Sequence, residues 1–132
     1  MIGILVAAHG GLAESLVKTV RIFTGNVPQL KAVDLLPESG PDSFVDDLRE
    51  QAEQIDDGDG VLIIADLFGG TPSNSAWKLI SEREGIAAVA GMNLTMLLEA
   101  VLNRENANNP KELADVACRA AREGVQKLPD IS

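Results

Sequence analysis

His9 and Asp66 are the two side chains of this sequence best placed to do chemistry. Each closes an apolar run, residues 2–8 in one case and 61–65 in the other. Each is followed by paired glycines, Gly10-Gly11 directly after His9 and Gly69-Gly70 shortly after Asp66. A neutral imidazole is a nucleophile at one ring nitrogen when the other keeps the proton. A carboxylate that accepts that proton as a hydrogen bond fixes the tautomer and balances the charge that builds on the ring. Glycines let backbone N–H groups come close to a ligand, and Thr71 brings a hydroxyl to the start of a helix. Gly10, Gly69, Gly70 and Thr71 therefore read as an anion site suited to a phosphoryl group. Phosphoryl transfer asks mainly for such positioning and charge stabilisation.

Residues so far apart in sequence meet only if the elements carrying them are neighbours. Residues 2–8 form a continuous apolar run, the pattern of a strand covered on both faces. A helix follows, with Leu12, Leu16, Val20 and Phe23 on one face, Ala13 and Val17 beside them, and Gly25 just past its end. A weaker strand at 31–36 leads to a helix striped by Phe44, Leu48, Ala52 and Ile55. That helix stops in the acidic turn Asp56-Asp57-Gly58-Asp59-Gly60. Residues 61–65 are the strongest strand signal. Thr71 fits an N-cap and Pro72 the first helical position, with Ala76, Leu79 and Ile80 inward. A fourth strand is expected at 86–90. Asn93 caps a helix carrying Leu94, Leu97, Leu98, Val101 and Leu102. Asn109-Pro110 opens the last helix, with Leu113, Val116, Ala117, Ala120 and Ala121 inward and Gly124 at its end. Residues 125–128 are a candidate antiparallel edge strand. Alternating strands and helices predict one α/β domain over residues 1–132: a doubly wound, mainly parallel, flavodoxin-like sheet of four strands with helices on both faces. In such sheets ligands bind at the carboxyl ends of the strands, beside the point where strand order reverses, and His9 and Asp66 both end there.

Composition narrows the chemistry further. The chain has 132 residues, 11 Lys and Arg against 20 Asp and Glu, and a formal net charge of −9. That balance argues against nucleic acid or an anionic membrane as the main partner. A single Cys excludes a disulfide framework and a Cys-based zinc site. Cys118, Trp77 and Met96 read as packing residues. The acidic turn at 56–60 lacks the spaced Glu of a calcium loop, and no metal ligand set or cofactor motif is visible. There is no Gly-x-Gly-x-x-Gly after the first strand, no P-loop and no Gly-x-Ser-x-Gly elbow. The start lacks the basic segment of a signal peptide, and no apolar run reaches the length of a membrane span, so a cytoplasmic protein is expected.

The opening run followed by His9-Gly10, and the block Asp66-Leu67-Phe68-Gly69-Gly70-Thr71-Pro72-Ser73-Asn74, resemble the mannose family of phosphotransferase-system (PTS) enzyme IIA domains. Gly91-Met92-Asn93-Leu94 followed by Met96-Leu97-Leu98-Glu99 matches a third block, and the likeness extends over residues 1–124. It departs at Thr95, where many members carry Pro. The resemblance implies a phosphotransferase acting as a histidine phosphocarrier. Phosphorylated HPr hands its phosphoryl group to His9, on the outer ring nitrogen, while Asp66 holds the inner one and Thr71 lies near the phosphate. His9 passes the group to a IIB protein, which serves a membrane sugar permease that the IIA protein meets only indirectly. The resemblance also implies a homodimer exchanging a C-terminal strand, for which 125–128 is the candidate. Close alternatives are the phosphoryl-donor subunit of dihydroxyacetone kinase and a regulatory IIA paralogue. A reading of another class is a non-enzymatic sensor of a small anion, which would tolerate His9→Asn.

Overall fold

The computed structural model describes residues 1–129. The elements in chain order are β1 (Gly3–His9), α1 (Leu12–Thr24), β2 (Leu30–Leu35), α2 (Pro41–Ile55), β3 (Val61–Ala65), α3 (Thr71–Glu82), β4 (Ile86–Ala90), α4 (Leu94–Asn103) and α5 (Pro110–Glu123). The four strands are parallel and lie in the order β2-β1-β3-β4. Each crossover carries at least one helix, as parallel neighbours require. From β1 the chain steps outward to β2, then crosses back to β3 and continues to β4. The strand order thus reverses between β1 and β3, the two strands that end at His9 and Asp66.

Side-chain alternation along β1 builds two cores. Ile4, Val6 and Ala8 pack with Leu62 and Ile64 of β3 against α1, α4 and α5. Leu5 and Ala7 pack with Val61 and Ile63 against α2 and α3 on the other face. With both faces covered, β1 is buried at every position except His9, and β3 at every position. The apolar runs seen in the sequence are therefore the two inner strands. Asn93 caps α4 by accepting from the Met96 amide, and Asn109 caps α5 by accepting from the Glu112 amide. No helix is long and apolar enough to cross a membrane among the described residues.

Several local expectations are corrected. Residues 125–128 form no strand in this chain, and Val125 and Leu128 are 75% and 82% exposed. Their spacing of three would turn them to opposite faces of a strand, so no single face is apolar enough to hold it in place. The buried line of α1 is Ala13, Val17 and Val20, while Leu12 and Phe23 are exposed. On α3, Ser75, Ala76 and Leu79 face inward and Ile80 and Trp77 face solvent. On α4, Met96 is buried and Leu102 exposed. Thr71 is the first residue of α3 rather than its cap: Gly70 stands at the N-cap, with no side chain closing that end.

Candidate functional site

Strand register brings the two predicted residues together. Ala7 of β1 stands opposite Ala65 of β3, and the Asp66 amide donates to the Ala7 carbonyl at 3.2 Å. One step beyond that pair on one strand and two on the other, Asp66 and His9 leave the sheet side by side. Asp66 Oδ2 lies 2.8 Å from His9 Nδ1 and also accepts from the His9 backbone amide at 2.9 Å. Its Oδ1 accepts from the Leu67 amide at 2.8 Å. One carboxylate therefore holds the imidazole, the backbone that carries it and the following turn.

The electrostatics give this contact a direction. Burial would raise the Asp66 carboxyl, whose side chain is only 10% exposed. The amide and ring of His9, together with the Leu67 amide, outweigh burial and hold the carboxyl below the usual carboxylate range. An ionised carboxylate only accepts, so in the neutral ring Nδ1 must carry the proton. The lone pair is then on Nε2, at the other side of the ring.

That side is open. The His9 side chain is 46% exposed, so the pair sits on the surface rather than across a deep cleft. Gly70 makes the opening: a Cβ built there would lie 2.8 Å from His9 Cε1 and 3.4 Å from Nε2. Its backbone angles, φ −79° and ψ 170°, suit any residue, so space and not conformation requires glycine. Gly10, by contrast, turns the chain out of β1 with φ +61° and faces open space. Its amide donates to the Leu35 carbonyl at 2.9 Å, and the Gly70 amide to the Leu67 carbonyl at 3.1 Å. Among the described residues nothing accepts from the Thr71 and Ser73 amides, the free N–H groups of the first turn of α3. Gly69, just before that helix, lies in the left-handed region at φ +87°, and its carbonyl accepts from the Asn74 side chain. Thr71 also lines a separate shallow groove of about 210 Å³ with Pro41 and Asp42 of α2.

Two features of the site escaped the sequence reading. Leu12, Leu36, Leu67 and Phe68 are exposed apolar residues on the segments that surround His9, Phe68 at 76%. Asp34, near the end of β2 and opposite Ala8, accepts from the amides of Ala13 and Glu14 at 2.9 and 3.1 Å. It closes the N-terminus of α1, where Gly11 has no side chain to do so. The available signal was an acidic residue at a strand end beside a helix that opens on two glycines.

Known proteins share this arrangement of chain. Residues 3–117 match the EIIA-man family model, described as the PTS system fructose IIA component. The PTS system mannose-specific EIIAB component of Escherichia coli (strain K12) is 31% identical over 127 residues, which cover 96% of this chain. The chain spans only 39% of that relative's length. The PTS system sorbose-specific EIIA component of Lacticaseibacillus casei is 34% identical over 78% of this chain and 74% of its own. Among solved structures, phosphotransferase system component EIIA from Streptococcus agalactiae superposes with a TM-score of 0.89 at 26% identity. That match covers 96% of this chain and 97% of the other.

Proposed function

Because the chain belongs to the mannose-type EIIA family of phosphotransferase-system components, we propose that it is a histidine phosphocarrier that takes a phosphoryl group from phospho-HPr on His9 and gives it to a IIB protein. The observation that carries this reading is the 2.8 Å contact between His9 Nδ1 and Asp66 Oδ2, which leaves Nε2 unprotonated on an exposed ring. The Nε2 lone pair attacks phosphorus, a new N–P bond forms, and the bond to HPr breaks with its electron pair leaving on HPr. The Nδ1 proton stays in place. The phosphorylated ring is therefore cationic, and the Asp66 carboxylate offsets that charge. Transfer to the IIB protein runs the same step with His9 as the leaving group.

The free Thr71 and Ser73 amides at the start of α3, the Thr71 hydroxyl and the left-handed backbone turn at Gly69 are the groups we assign to the phosphoryl site. Gly10 and Gly70 contribute by lacking side chains, since their amides already donate within the chain. A half-exposed ring suits a donor and an acceptor that are themselves proteins, because both must reach the same nitrogen. The exposed apolar residues Leu36, Leu67 and Phe68 offer such partners a surface to cover. A homodimer in the cytoplasm completes the proposal, and light scattering of the purified protein checks its mass.

The direct test is intact mass after incubation with phosphoenolpyruvate, enzyme I and HPr, for wild type and His9→Ala. One acid-labile phosphoryl group on wild type, absent from His9→Ala and passed on when a IIB protein is added, is the expected result. A folded wild type that takes no phosphoryl group would overturn the carrier reading and favour an anion sensor.

A further inference from the structure

Asp66 holds His9 from the β3 side and the Leu35 pairing holds its backbone from the β2 side, yet the two glycines that follow carry no side chain to fix the turn into α1. We infer that Asp34 is the positioning residue that fixes the His9-Gly10-Gly11 turn from the β2 side, so that the His9 ring stays on Asp66; the inference rests on the phosphocarrier reading for its kinetic consequence only.

Three observations support it. First, α1 opens on Gly11 and no residue of that segment caps it, so its first amides need an acceptor from elsewhere. Asp34 supplies both oxygens, one to Ala13 and one to Glu14, across 21 and 20 residues of sequence. An ordinary N-cap is local and ties a helix to its own preceding residue. This one ties α1 to a neighbouring strand. Second, the turn before α1 is itself tied to β2 one residue on from Asp34, where the Gly10 amide donates to the Leu35 carbonyl at 2.9 Å. His9 pairs with Leu35 in the sheet and the Gly10 amide bonds to β2, while Asp34 holds the first amides of α1 just beyond the turn; on the other side Asp66 holds His9 by two bonds. Third, α3, which begins at the same sheet edge beside Asp66, is treated oppositely. α3 has a glycine at its N-cap, no side-chain cap and no acidic residue in its first turn, whereas α1 carries the Asp34 carboxylate and Glu14. The partial positive charge of α1 is answered by the chain itself and that of α3 is left for a ligand. Asp34 accordingly holds the nucleophile without competing for the phosphoryl group.

The test compares wild type with Asp34→Asn, Asp34→Ala and Asp34→Glu. An asparagine offers one acceptor oxygen where two amides need one each, and alanine offers none. The first readout is the ¹⁵N spectrum of the single histidine ring, which reports its tautomer without any partner protein. Wild type is expected to hold one tautomer, protonated on Nδ1. Asp34→Ala is expected to show a mixture and Asp34→Asn an intermediate state. Glu, with its carboxylate on a longer stem, is expected to recover most of the single tautomer. The second readout is phosphoryl acceptance from phospho-HPr: kcat roughly tenfold lower or more in Asp34→Ala with KM unchanged, since misplacing a nucleophile costs rate and not docking. Reduced melting temperature with an unchanged tautomer and unchanged kcat would overturn the inference and leave Asp34 as a helix cap alone. If Asp34→Ala does not fold, Asp34→Asn decides by the same two readouts. If wild type accepts no phosphoryl group, the carrier reading falls, and the ring spectra still decide whether Asp34 positions His9.

Discussion

Asp66 accepts three hydrogen bonds with two oxygens, from the His9 ring, the His9 amide and the Leu67 amide. Asn in its place cannot serve both sets of donors. Turned one way it faces an N–H₂ to the ring, which then favours the wrong tautomer. The rate of phosphoryl acceptance by Asp66→Asn should fall about a hundredfold or more in rapid-quench experiments, while HPr binding persists. Asp66 also links the site to acid stability. Its carboxyl is held below the usual range in the folded chain, so the stabilisation is complete above the unfolded carboxylate pKa near 3.8 and is lost as pH falls through the lower folded value. Melting curves between about pH 5 and pH 3 should show a shallower acid decline for Asp66→Asn than for wild type. Gly70→Ala tests space alone. Its methyl would meet His9 Cε1 at 2.8 Å, so the ring must shift, and acceptance should slow roughly tenfold with KM unchanged. An unchanged rate would mean that the ring has room to spare. His9 and Asp66 were legible in the sequence because each ends an apolar run beside glycines. Asp34 was not, because its partners become visible only once β2 is registered so that Asp34 lies opposite Ala8. Gly70 was read as a backbone donor to phosphate; its closeness to the His9 ring is a matter of distance that leaves no mark in residue type.

All four strands were legible, since β1 and β3 are covered on both faces and read as unbroken apolar runs. The helices were legible as elements but less so as faces. On α1 the bulky column through Leu12, Leu16 and Phe23 lies next to the true buried line of Ala13, Val17 and Val20. Counting large side chains favours the wrong column, because close packing of a helix on a sheet selects small residues such as Ala13. The same bias placed Ile80 inward on α3, where Ala76 and Ser75 are buried. Exposed apolar residues are informative at the site, where the sequence reading assigned Leu67 and Phe68 to neither core nor surface. The loop from β3 to α3, which follows Asp66, exposes Leu67 and Phe68, although neither supports the core. Phe68→Ser should therefore leave the melting temperature nearly unchanged and raise KM for phospho-HPr several-fold at constant kcat. A drop in kcat instead would assign Phe68 to the ring's position rather than to docking.

The whole molecule carries a net charge of −9, and a groove of about 550 Å³ between α1 and β2 meets the site at Gly10, Gly11, Asp34 and Leu36. Among the described residues nothing encloses His9, which suits the proposed passage of a group between proteins. As the proposed carrier, so acidic a chain should meet a partner with a basic docking face by electrostatic steering, so kcat/KM should fall steadily between about 0.05 and 0.5 M salt. A flat response would assign docking to the apolar rim alone. The chain has a single histidine, and this makes the central claim directly measurable. On uniformly ¹⁵N-labelled protein phosphorylated through HPr, NMR of that one ring reports which nitrogen bears phosphorus and which bears the proton. The account predicts phosphorus on Nε2 with the proton retained on Nδ1 against Asp66; phosphorus on Nδ1, or on no ring nitrogen, would contradict it.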